Sequence, residues 1–398
     1  MKSVRILVTG GGTGGHVSPA LAVVQTLRGW AETPDATFAP EFLYLGSEAG
    51  IEAKLAREAG LTFASVSTGK LRRSSKGVLG LLTMANLRDA LRVPVGVGES
   101  FAAVRTFKPD VVLATGGYVS VPPVIAAGLS GVPVLIHEQT VTVGLANKIA
   151  GRFAKRIALS FADSLNELPP NLRKKAVVTG NPVRAAIFGG DRHRAIQRYG
   201  LDSDLPCVYV TGGAQGSRII NRAVEEALTE LLDFCRIVHQ CGKQPEGTEQ
   251  DLDRLAIAKA QLPDDKKKRY YVTPFVETGE IGDLFALVDL IVGRSGAGTV
   301  TEVCALGKPA IFVPLQPASG DEQMKNAQRL VHAGAASILI QADCGGKTLL
   351  RSVRAQLSDR TKLEAMGNAA RKLSTPNAAN DLASELMRLA DSSFTPPE

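Results

Sequence analysis

Glycine-rich turns are the segments of this 398-residue sequence best suited to carry chemistry. GGGTGGH at 10–16, TGGYVS at 115–120 and TGGAQGSR at 211–218 each follow a short apolar run. Main-chain N–H groups in such a turn, with the positive end of a following helix, suit an anion such as phosphate. A single turn of this kind could equally serve close packing of a strand against a helix. Three in one chain favour phosphate binding.

A fourth glycine turn, IVGRSGAGTVTE at 291–302, adds charged side chains to the pattern. Arg294 and the N–H groups of residues 296–299 could neutralise a diphosphate. Glu302, one helical turn further on, could accept hydrogen bonds from two ribose hydroxyls. The alternative is that Arg294 and Glu302 form a surface ion pair at a helix start. The combination of turn, cation and acid predicts a site for a nucleoside diphosphate.

The first turn also fits the dinucleotide pattern GxGxxG through Gly10, Gly12 and Gly15. Glu48, after the second predicted strand, could then contact a ribose. A nicotinamide-dependent oxidoreductase would need only this one turn, whereas the sequence has several. An oxidoreductase is therefore an alternative that the sequence does not favour.

Short β-branched runs ahead of these turns indicate strands, and helix-length segments such as 218–234 separate them. The pattern predicts an α/β fold with two doubly wound, Rossmann-like domains, whose parallel sheets face each other across a cleft. Ligands of such sheets bind beyond the carboxyl ends of the strands. The predicted strands are residues 4–8, 42–45, 111–113, 132–136, 207–210, 236–239, 270–272, 290–292 and 310–313.

Breaks in periodicity predict where the domains divide. We expect residues 1–183 to form the first domain and residues 184–375 the second, because Pro182 and the glycines behind it interrupt the pattern. An amphipathic stretch near the end of the chain predicts a helix at 376–392, which we expect to join the first domain.

Composition excludes several classes of protein. With 44% hydrophobic and 21% charged residues, the chain has the composition of a folded globular protein. Five cysteines without a CxxC pair suit a reducing compartment. Cys235, His239 and Cys241 follow a strand-like rhythm without a fourth ligand, so we predict packing there and no metal. Glycine and proline interrupt the uncharged stretch at 111–136, and we expect neither a membrane-spanning helix nor a signal peptide.

Positive charge is concentrated in the first half of the chain. The net charge is +7; residues 1–183 carry 20 Lys and Arg against 12 Asp and Glu, which is +8, and the rest carries −1. Aromatic residues are few and no nucleic-acid-binding motif is present, so nucleic acid is not an expected partner. A basic and apolar stretch at 70–92 is typical of an anionic membrane surface or of a core helix with a charged rim. We call its main residues the basic apolar patch: Lys70, Arg72, Arg73, Val78, Leu79 and Leu82.

The ordered set of motifs resembles the MurG family over nearly the whole chain. The shared segments are GGTGGHVSPALAV, TGGYVSVP, HEQ at 137–139, GNPVR, GGAQGSR and RSGAGTVTE. The resemblance implies a glycosyltransferase fold of the B type and transfer of N-acetylglucosamine from UDP-N-acetylglucosamine to lipid I. The product would be lipid II for cell-wall peptidoglycan. It also implies a peripheral protein on the cytoplasmic face of the membrane, with the basic apolar patch on the anionic inner leaflet.

The resemblance also implies particular site residues, most of them in the second half of the chain. The acceptor diphosphate is expected at Gly116, Gly117 and Tyr118. Three positions depart from the family pattern, since Thr140, Ala214 and Glu322 stand where asparagine, serine and glutamine are common, which alters a side-chain contact at each. The expected donor-binding residues are Thr13, Gly14, Gly15, Thr140, Arg184, Ala214, Val276, Arg294, Ala297, Gly298, Thr299, Val300, Thr301, Glu302 and Gln323.

The expected reaction is a direct displacement that inverts the anomeric carbon. A general base must take the proton of the acceptor hydroxyl, and His16 and Glu138 are the two candidates. We favour His16, because a neutral imidazole suits this task near neutral pH. No cofactor and no obligatory metal is expected, since Arg294 and a helix N-terminus could stabilise the leaving diphosphate. A UDP-sugar epimerase, another UDP-sugar-dependent lipid glycosyltransferase and a non-catalytic UDP-sugar sensor are the alternatives.

Overall fold

The computed structural model describes residues 1–69, 84–201, 204–244, 247–317 and 319–397. The chain divides into two compact units, Met1–Arg184 with Thr375–Glu398, and Ala185–Ser374. It therefore passes between the units twice. Arg184 and Thr375, which the sequence analysis assigned to the second domain, belong to the first unit. Thr375 does so because its side chain packs against Gly180, where a Cβ would overlap it.

The first unit is built on a parallel sheet of seven strands in the order β3-β2-β1-β4-β5-β6-β7. The strands are β1 (Lys2–Thr9), β2 (Phe38–Gly46), β3 (Thr62–Ser65), β4 (Val111–Ala114), β5 (Val134–Glu138), β6 (Arg156–Leu159) and β7 (Ala176–Val178). The helices are α1 (Gly14–Ala31), α2 (Ile51–Glu58), α3 (Met84–Phe107), α4 (Val121–Leu129), α5 (Leu145–Ala150) and α6 (Pro170–Arg173), with a last helix (Ala378–Ala390) from the end of the chain. This order places a switch point between β1 and β4.

The second unit repeats the plan in a six-stranded parallel sheet with the order β10-β9-β8-β11-β12-β13. Its strands are β8 (Cys207–Thr211), β9 (Arg236–Gln240), β10 (Tyr270–Thr273), β11 (Leu290–Gly293), β12 (Ala310–Phe312) and β13 (Ala336–Ile338). Its helices are α7 (Arg192–Tyr199), α8 (Arg218–Glu226), α9 (Leu228–Leu231), α10 (Asp251–Ala260), α11 (Asp264–Lys267), α12 (Ile281–Leu287), α13 (Ala297–Leu306), α14 (Glu322–His332), α15 (Gly346–Leu357) and α16 (Arg360–Lys372). The switch point lies between β8 and β11.

The predicted fold class is confirmed, since both units are doubly wound α/β folds with parallel sheets. The sequence analysis did not find β3, β6, β7 and β13, which have three or four residues each. None of the four precedes one of the glycine turns, which marked the equally short strands β4 and β11. The helix expected at 218–234 is two helices, α8 and α9, because Ala227 between them leaves the helical conformation.

Apolar residues cover both faces of the first sheet. Ile6 and Val8 belong to one core cluster, whereas Leu7 between them belongs to another, as alternation along a strand requires. The last helix of the chain, which we label α17, packs on α1 and contributes fully buried Leu382 and Leu386 to the first of these clusters. None of the helices in the described part of the chain has both the length and the hydropathy to cross a membrane.

Candidate active site

The first two glycine turns meet at the switch point of the first unit. Turn one, residues 10–13, follows β1, and turn two, residues 115–117, follows the neighbouring strand β4. The N–H of Gly11 donates to the carbonyl of Gly116 at 3.2 Å. Gly117 has a φ of 82°, and a Cβ there would overlap the carbonyl oxygen of Gly11. Glycine is required here so that the two turns can touch.

A buried carboxylate lies against turn one. Glu52 on α2 accepts hydrogen bonds from the N–H groups of Gly12 and Ser47, each at 3.1 Å. Turn one therefore binds an anion that belongs to the protein itself, which argues against a dinucleotide site there. Glu48, which the dinucleotide interpretation assigned to a ribose, forms an exposed ion pair with Arg57 at 2.8 Å.

His16 lies in the first turn of α1 with its ring half-buried against turn two. Its Nδ1 is 2.9 Å from Oε1 of Gln139 and 3.1 Å from the carbonyl oxygen of Thr115. Both partners are acceptors, so Nδ1 carries the hydrogen and Nε2 of the neutral ring keeps its lone pair. A Cβ on Gly116 would lie 3.3 Å from Nδ1, which shows how closely turn two packs on the ring. This geometry leaves Nε2 able to accept a proton.

Glu138, the other candidate base, is 3% exposed at the end of β5. Its Oε1 lies 3.1 Å from the N–H nitrogen and 2.9 Å from the hydroxyl of Thr140. Its Oε2 accepts from the N–H of Gly144 and the side-chain amide of Asn147, each at 2.9 Å. Three N–H donors therefore commit this carboxylate to the loop at 140–147, and the Thr140 hydroxyl shares its one hydrogen between Glu138 and the Thr142 carbonyl at 2.7 Å. The geometry therefore favours His16 as the base. The Thr140 side chain, predicted to bind the donor, lies against Glu138 instead.

The N-terminus of α1 has free space above it. A Cβ on Gly14 would meet nothing within 4 Å, and one on Gly15 would meet only the Thr13 side chain at 3.7 Å. Tyr118 lies on the other side of turn one, since a Cβ on Gly12 would be 2.8 Å from its ring. The predicted residues of the first two turns thus share the carboxyl edge of one sheet: Thr13, Gly14, Gly15, Gly116, Gly117 and Tyr118.

The other two glycine turns follow neighbouring strands at the switch point of the second unit. Turn three, residues 211–216, follows β8, and turn four, residues 294–297, follows the neighbouring strand β11. Gly216 has a φ of 73°, and a Cβ there would overlap the backbone of Cys241, so turn three is packed against the end of β9. Ala214 is exposed in this turn.

The N-terminus of α13 is open. Gly296 is the N-cap residue without a side-chain cap, and a Cβ on Gly296 or Gly298 would meet nothing within 4 Å. The N–H groups of this first turn therefore have room for an anion. The Val300 side chain is buried and faces the protein rather than the open space, and the hydroxyl of half-buried Thr301 donates to the Ala297 carbonyl at 2.7 Å.

Arg294 and Glu302 flank this helix start. The half-buried side chain of Arg294 donates through Nη1 to the carbonyl of Val313 at 2.8 Å. Burial lowers the pKa of the Arg294 guanidinium from its ordinary value, but an arginine stays charged near neutrality. The remaining N–H groups of the oriented guanidinium can donate to a diphosphate. Glu302 lies half-buried on α13 itself.

Two further residues predicted to bind the donor, Gln323 and Val276, already form one hydrogen bond each within the unit. Oε1 of Gln323 accepts from the N–H of Leu315 at 3.0 Å, which leaves its amide hydrogens for a ligand. The N–H of Val276 donates to Oε1 of Gln240 at 3.1 Å. The carbonyl of Val276 is therefore the backbone group of this residue that can meet a nucleobase.

The three residues with metal-like spacing have other partners. The ring nitrogens of His239 lie 2.9 Å from the Tyr270 hydroxyl and 3.0 Å from the Asn221 amide oxygen. Burial lowers the pKa of His239 to about 3 and raises the pKa values of the Cys235 and Cys241 thiols. Across the described residues, no three His, Cys, Asp or Glu side chains form a group that could hold a metal ion.

Some predicted residues lie elsewhere. Arg184 is the last residue of the first unit before the chain enters the second. The residues of the basic apolar patch lie outside the described residues: Lys70, Arg72, Arg73, Val78, Leu79 and Leu82.

Sequence reasoning missed three residues that hold the turns together. Gln139 is part of the motif HEQ but was given no role, and Glu52 and Gln240 were not considered. Gln139 and Gln240 stand at the carboxyl ends of β5 and β9. A polar residue at that edge of a parallel sheet is the signal that could have found both.

Comparison with family models gives two matches, one for each sheet. Residues 6–159 match the N-terminal domain of glycosyltransferase family 28, and residues 207–382 match its C-terminal domain. The chain belongs to glycosyltransferase family 28.

Several named proteins are similar to this chain over most of their own length. A UDP-N-acetylglucosamine--N-acetylmuramyl-(pentapeptide) pyrophosphoryl-undecaprenol N-acetylglucosamine transferase from Desulfitobacterium hafniense strain Y51 is 36% identical over 381 residues, 95% of this chain and 97% of that protein. Transferase 2 of the same description from Bacillus cereus strain ATCC 10987 is 36% identical and matches 88% of this chain and 90% of its own. A crystal structure of MurG from Acinetobacter baumannii matches 98% of this chain and 100% of its own at 28% identity, with a TM-score of 0.68.

Epimerases share the architecture at much lower identity. A UDP-N-acetylglucosamine 2-epimerase from Neisseria meningitidis, solved with UDP-N-acetylglucosamine bound, matches 97% of this chain and 100% of its own with a TM-score of 0.64. Its sequence identity is 14%, so this likeness shows the fold alone.

Proposed function

We propose that this family 28 enzyme is an inverting glycosyltransferase that moves N-acetylglucosamine from UDP-N-acetylglucosamine to lipid I. The acceptor is the C4 hydroxyl of the N-acetylmuramic acid, and the product is lipid II for peptidoglycan. The observation that carries the proposal is the open α13 start with Arg294 and Glu302, in a chain 36% identical to a transferase of that description over 95% of its length.

The second unit binds the donor in this proposal. The diphosphate lies at the N–H groups of residues 297–299, and Arg294 neutralises its charge. Glu302 accepts from the ribose hydroxyls, and the Val276 carbonyl accepts from the N3–H of uracil. Gln323 donates its side-chain amide hydrogens to the sugar. Gln323 and Val276 each keep a group for this contact, since the Gln323 side chain accepts through Oε1 and Val276 donates through its N–H within the unit.

The first unit supplies the base and binds the acceptor. Nε2 of His16 takes the proton of the C4 hydroxyl while that oxygen bonds to the anomeric carbon and the bond to UDP breaks. The electron pair of the broken bond stays on the UDP diphosphate, where Arg294 and the start of α13 stabilise it. Glu138 holds the loop at 140–147 and does not take the proton. Turn two, with Tyr118, binds the acceptor diphosphate, and Gly14 and Gly15 contact the donor sugar.

This arrangement supplies positive charge to the leaving group without a metal ligand. We expect turnover in the presence of excess EDTA to stay within about two-fold of turnover with Mg²⁺, because the arginine and the helix dipole act in place of a cation. Complete loss of activity that added Mg²⁺ restores would contradict this expectation.

The proposed enzyme works at a membrane surface because its acceptor carries an undecaprenyl chain. We propose peripheral binding to the cytoplasmic face, with the basic apolar patch on anionic lipid. Co-sedimentation with vesicles of phosphatidylglycerol, compared with phosphatidylcholine vesicles, tests this step. Binding that does not depend on lipid charge would contradict it.

One assay tests the reaction. The protein is incubated with radiolabelled UDP-N-acetylglucosamine, with and without a lipid I analogue. We expect label in the lipid only when the analogue is present. A second sugar nucleotide formed without acceptor would indicate an epimerase, and binding without any turnover would indicate a sensor.

A further inference from the structure

The hydrogen bonds behind His16 form a chain that begins at Gly180. Nε2 of buried His137 lies 3.0 Å from the carbonyl oxygen of Gly180 and 3.3 Å from the hydroxyl of Ser160. That hydroxyl donates to the Glu138 carbonyl at 2.7 Å, so it can only accept from His137. Burial lowers the pKa of His137 to about 4, and the ring is neutral at pH 7. Its hydrogen is therefore on Nε2, and Nδ1 keeps the lone pair.

That lone pair and a backbone carbonyl fix the amide of Gln139. Its Nε2 lies 3.2 Å from Nδ1 of His137 and 2.6 Å from the carbonyl oxygen of Thr115. Both are acceptors, so this end of the amide is the NH₂ group, and a flipped amide would turn its oxygen toward two acceptors. The amide oxygen consequently faces Nδ1 of His16 at 2.9 Å.

We propose that Gln139 is a positioning residue that holds the His16 ring with its Nε2 lone pair toward the acceptor, and that His137 holds Gln139 in turn. The inference rests on the proposed role of His16 as the base. When Nε2 takes the hydroxyl proton the ring becomes a cation, and its Nδ1–H donates more strongly to the Gln139 oxygen. Gln139 thus stabilises the protonated base, as the third group of a catalytic triad does.

Two substitutions of Gln139 should act in opposite directions. Gln139→Glu keeps the length and an oxygen toward His16 and adds negative charge, which favours the protonated ring. Its second oxygen replaces the NH₂ group that faces the Thr115 carbonyl and Nδ1 of His137, so this variant also breaks the bond to His137. Gln139→Leu removes the acceptor and disfavours the protonated ring. We expect the acidic limb of the pH profile of kcat/KM to move up by about one pH unit in Gln139→Glu and to move down in Gln139→Leu. We also expect kcat to fall about 10-fold in Gln139→Leu, with the KM for UDP-N-acetylglucosamine within about two-fold of wild type.

A second readout does not depend on turnover. The chain has five histidines, so the ring nitrogens of His16 can be followed by NMR after ¹⁵N-histidine labelling. We expect the wild-type ring at pH 8 to carry its hydrogen on Nδ1, and its titration to move in the same opposite directions in the two variants. The other ionisable groups on the surrounding elements are His137, Glu138, Glu52 and Tyr118, and both variants keep all of them.

A matched control is Gln356→Leu. Gln356 is 8% exposed on α15 of the second unit, so the substitution removes a buried glutamine away from the chain of hydrogen bonds. We expect it to leave both readouts at wild-type values. Gln139→Met replaces Gln139→Leu if the latter does not fold, because it also lacks the acceptor.

The outcomes separate this inference from the proposed function. Opposite shifts in the NMR titration and in the pH profile support both. Opposite NMR shifts with an unchanged pH profile support the hydrogen-bond chain and show that His16 is not the base. An unchanged titration of His16 in both variants, or shifts of the same sign, overturns the inference.

Discussion

The two units share a strand order and differ in what occupies the switch point. In the first unit, turn one is bonded to Glu52 and turn two lies against the ring of His16. In the second unit, the corresponding turn before α13 has open space above Gly296 and Gly298. Glycine permits close contact between protein groups in the first case and access for a ligand in the second.

A glycine turn therefore does not by itself identify a phosphate site. Turns one and four follow a parallel strand at the switch point and precede a helix. What separates them is the surroundings: a buried carboxylate meets the N–H of Gly12, whereas an arginine stands beside the open N–H groups of α13. Turn one is thus already occupied by Glu52, whereas the start of α13 offers the open N–H groups that the proposed donor site needs.

The largest expected effect comes from His16→Ala. Loss of the base should lower kcat about 10³-fold, because general base catalysis is typically worth 10² to 10⁴. The affinity for UDP should be unchanged, since the donor site lies in the second unit. Steady-state kinetics and calorimetry with UDP measure the two quantities. A kcat within ten-fold of wild type, with intact folding, would show that His16 is not the base.

A pair of alanine substitutions tests the comparison directly. Gly117→Ala places a Cβ on the carbonyl oxygen of Gly11 at a φ of 82°, so we expect the free energy of unfolding to fall by about 3 kcal/mol. Gly298→Ala adds a methyl to open space in a helix, where alanine is favoured, so the free energy of unfolding should rise or change by less than about 1 kcal/mol.

Gly298→Ala should instead raise the KM for the donor, because the methyl enters the space assigned to the diphosphate. Urea unfolding and steady-state kinetics on both variants measure the contrast. Equal losses of stability in the two variants would show that the two turns are packed alike.

Acid should destabilise both units, since each contains one buried neutral histidine. Burial lowers the pKa to about 4 for His137 and about 3 for His239, against 6.5 in the unfolded chain. Below pH 6.5 the unfolded chain binds more protons than the folded one, so stability falls as the pH falls. Between pH 7 and pH 5 we expect a loss of about 2 kcal/mol for each histidine.

Urea unfolding at the two pH values measures this loss. The ion pair with Arg194 lowers the pKa of Asp283 to about 2, so this carboxylate stays charged throughout the tested window. A double variant, His193→Gln with His332→Gln, removes two exposed histidines and should keep the full acid sensitivity. A free energy of unfolding that stays constant from pH 7 to pH 5 would show that His137 and His239 are not buried as neutral rings.

The smallest effect is expected for Arg294→Lys. The charge remains, but the planar fork that bonds the Val313 carbonyl and faces the diphosphate is lost, so UDP should bind about 10-fold more weakly. Calorimetry measures the dissociation constant. Arg360→Lys, at an exposed position on α16, is the control and should bind UDP as the wild type does. Equal affinity for UDP in the two variants would show that Arg294 does not bind the diphosphate.

The fold could be predicted because its signals are local. Each strand that precedes a glycine turn is an apolar run, and the turn itself marks the strand end and the helix start. The short strands β6 and β13 were not predicted because no glycine turn follows them. Their place in the sheet depends on pairing with β5 and β12, which is tertiary information.

The candidate site could be predicted only where its residues are neighbours in sequence. Arg294 and Glu302 belong to one segment of 12 residues, so residue type and spacing suggested their chemistry. The partner of His16 is Gln139, 123 positions away, and Glu52 reaches Gly12 across 40 positions. Such contacts depend on which strands are adjacent, and the motif HEQ gave no sign of which side chain faces which.

The position of α17 has a consequence for synthesis of the chain. The first unit contains residues from both ends of the polypeptide, and Leu382 and Leu386 complete its core. On the ribosome, the first 184 residues emerge long before this helix, whereas Ala185–Ser374 is contiguous. The unit that is translated first must therefore wait for the last residues before its core is closed, and the middle of the chain can reach its native state sooner.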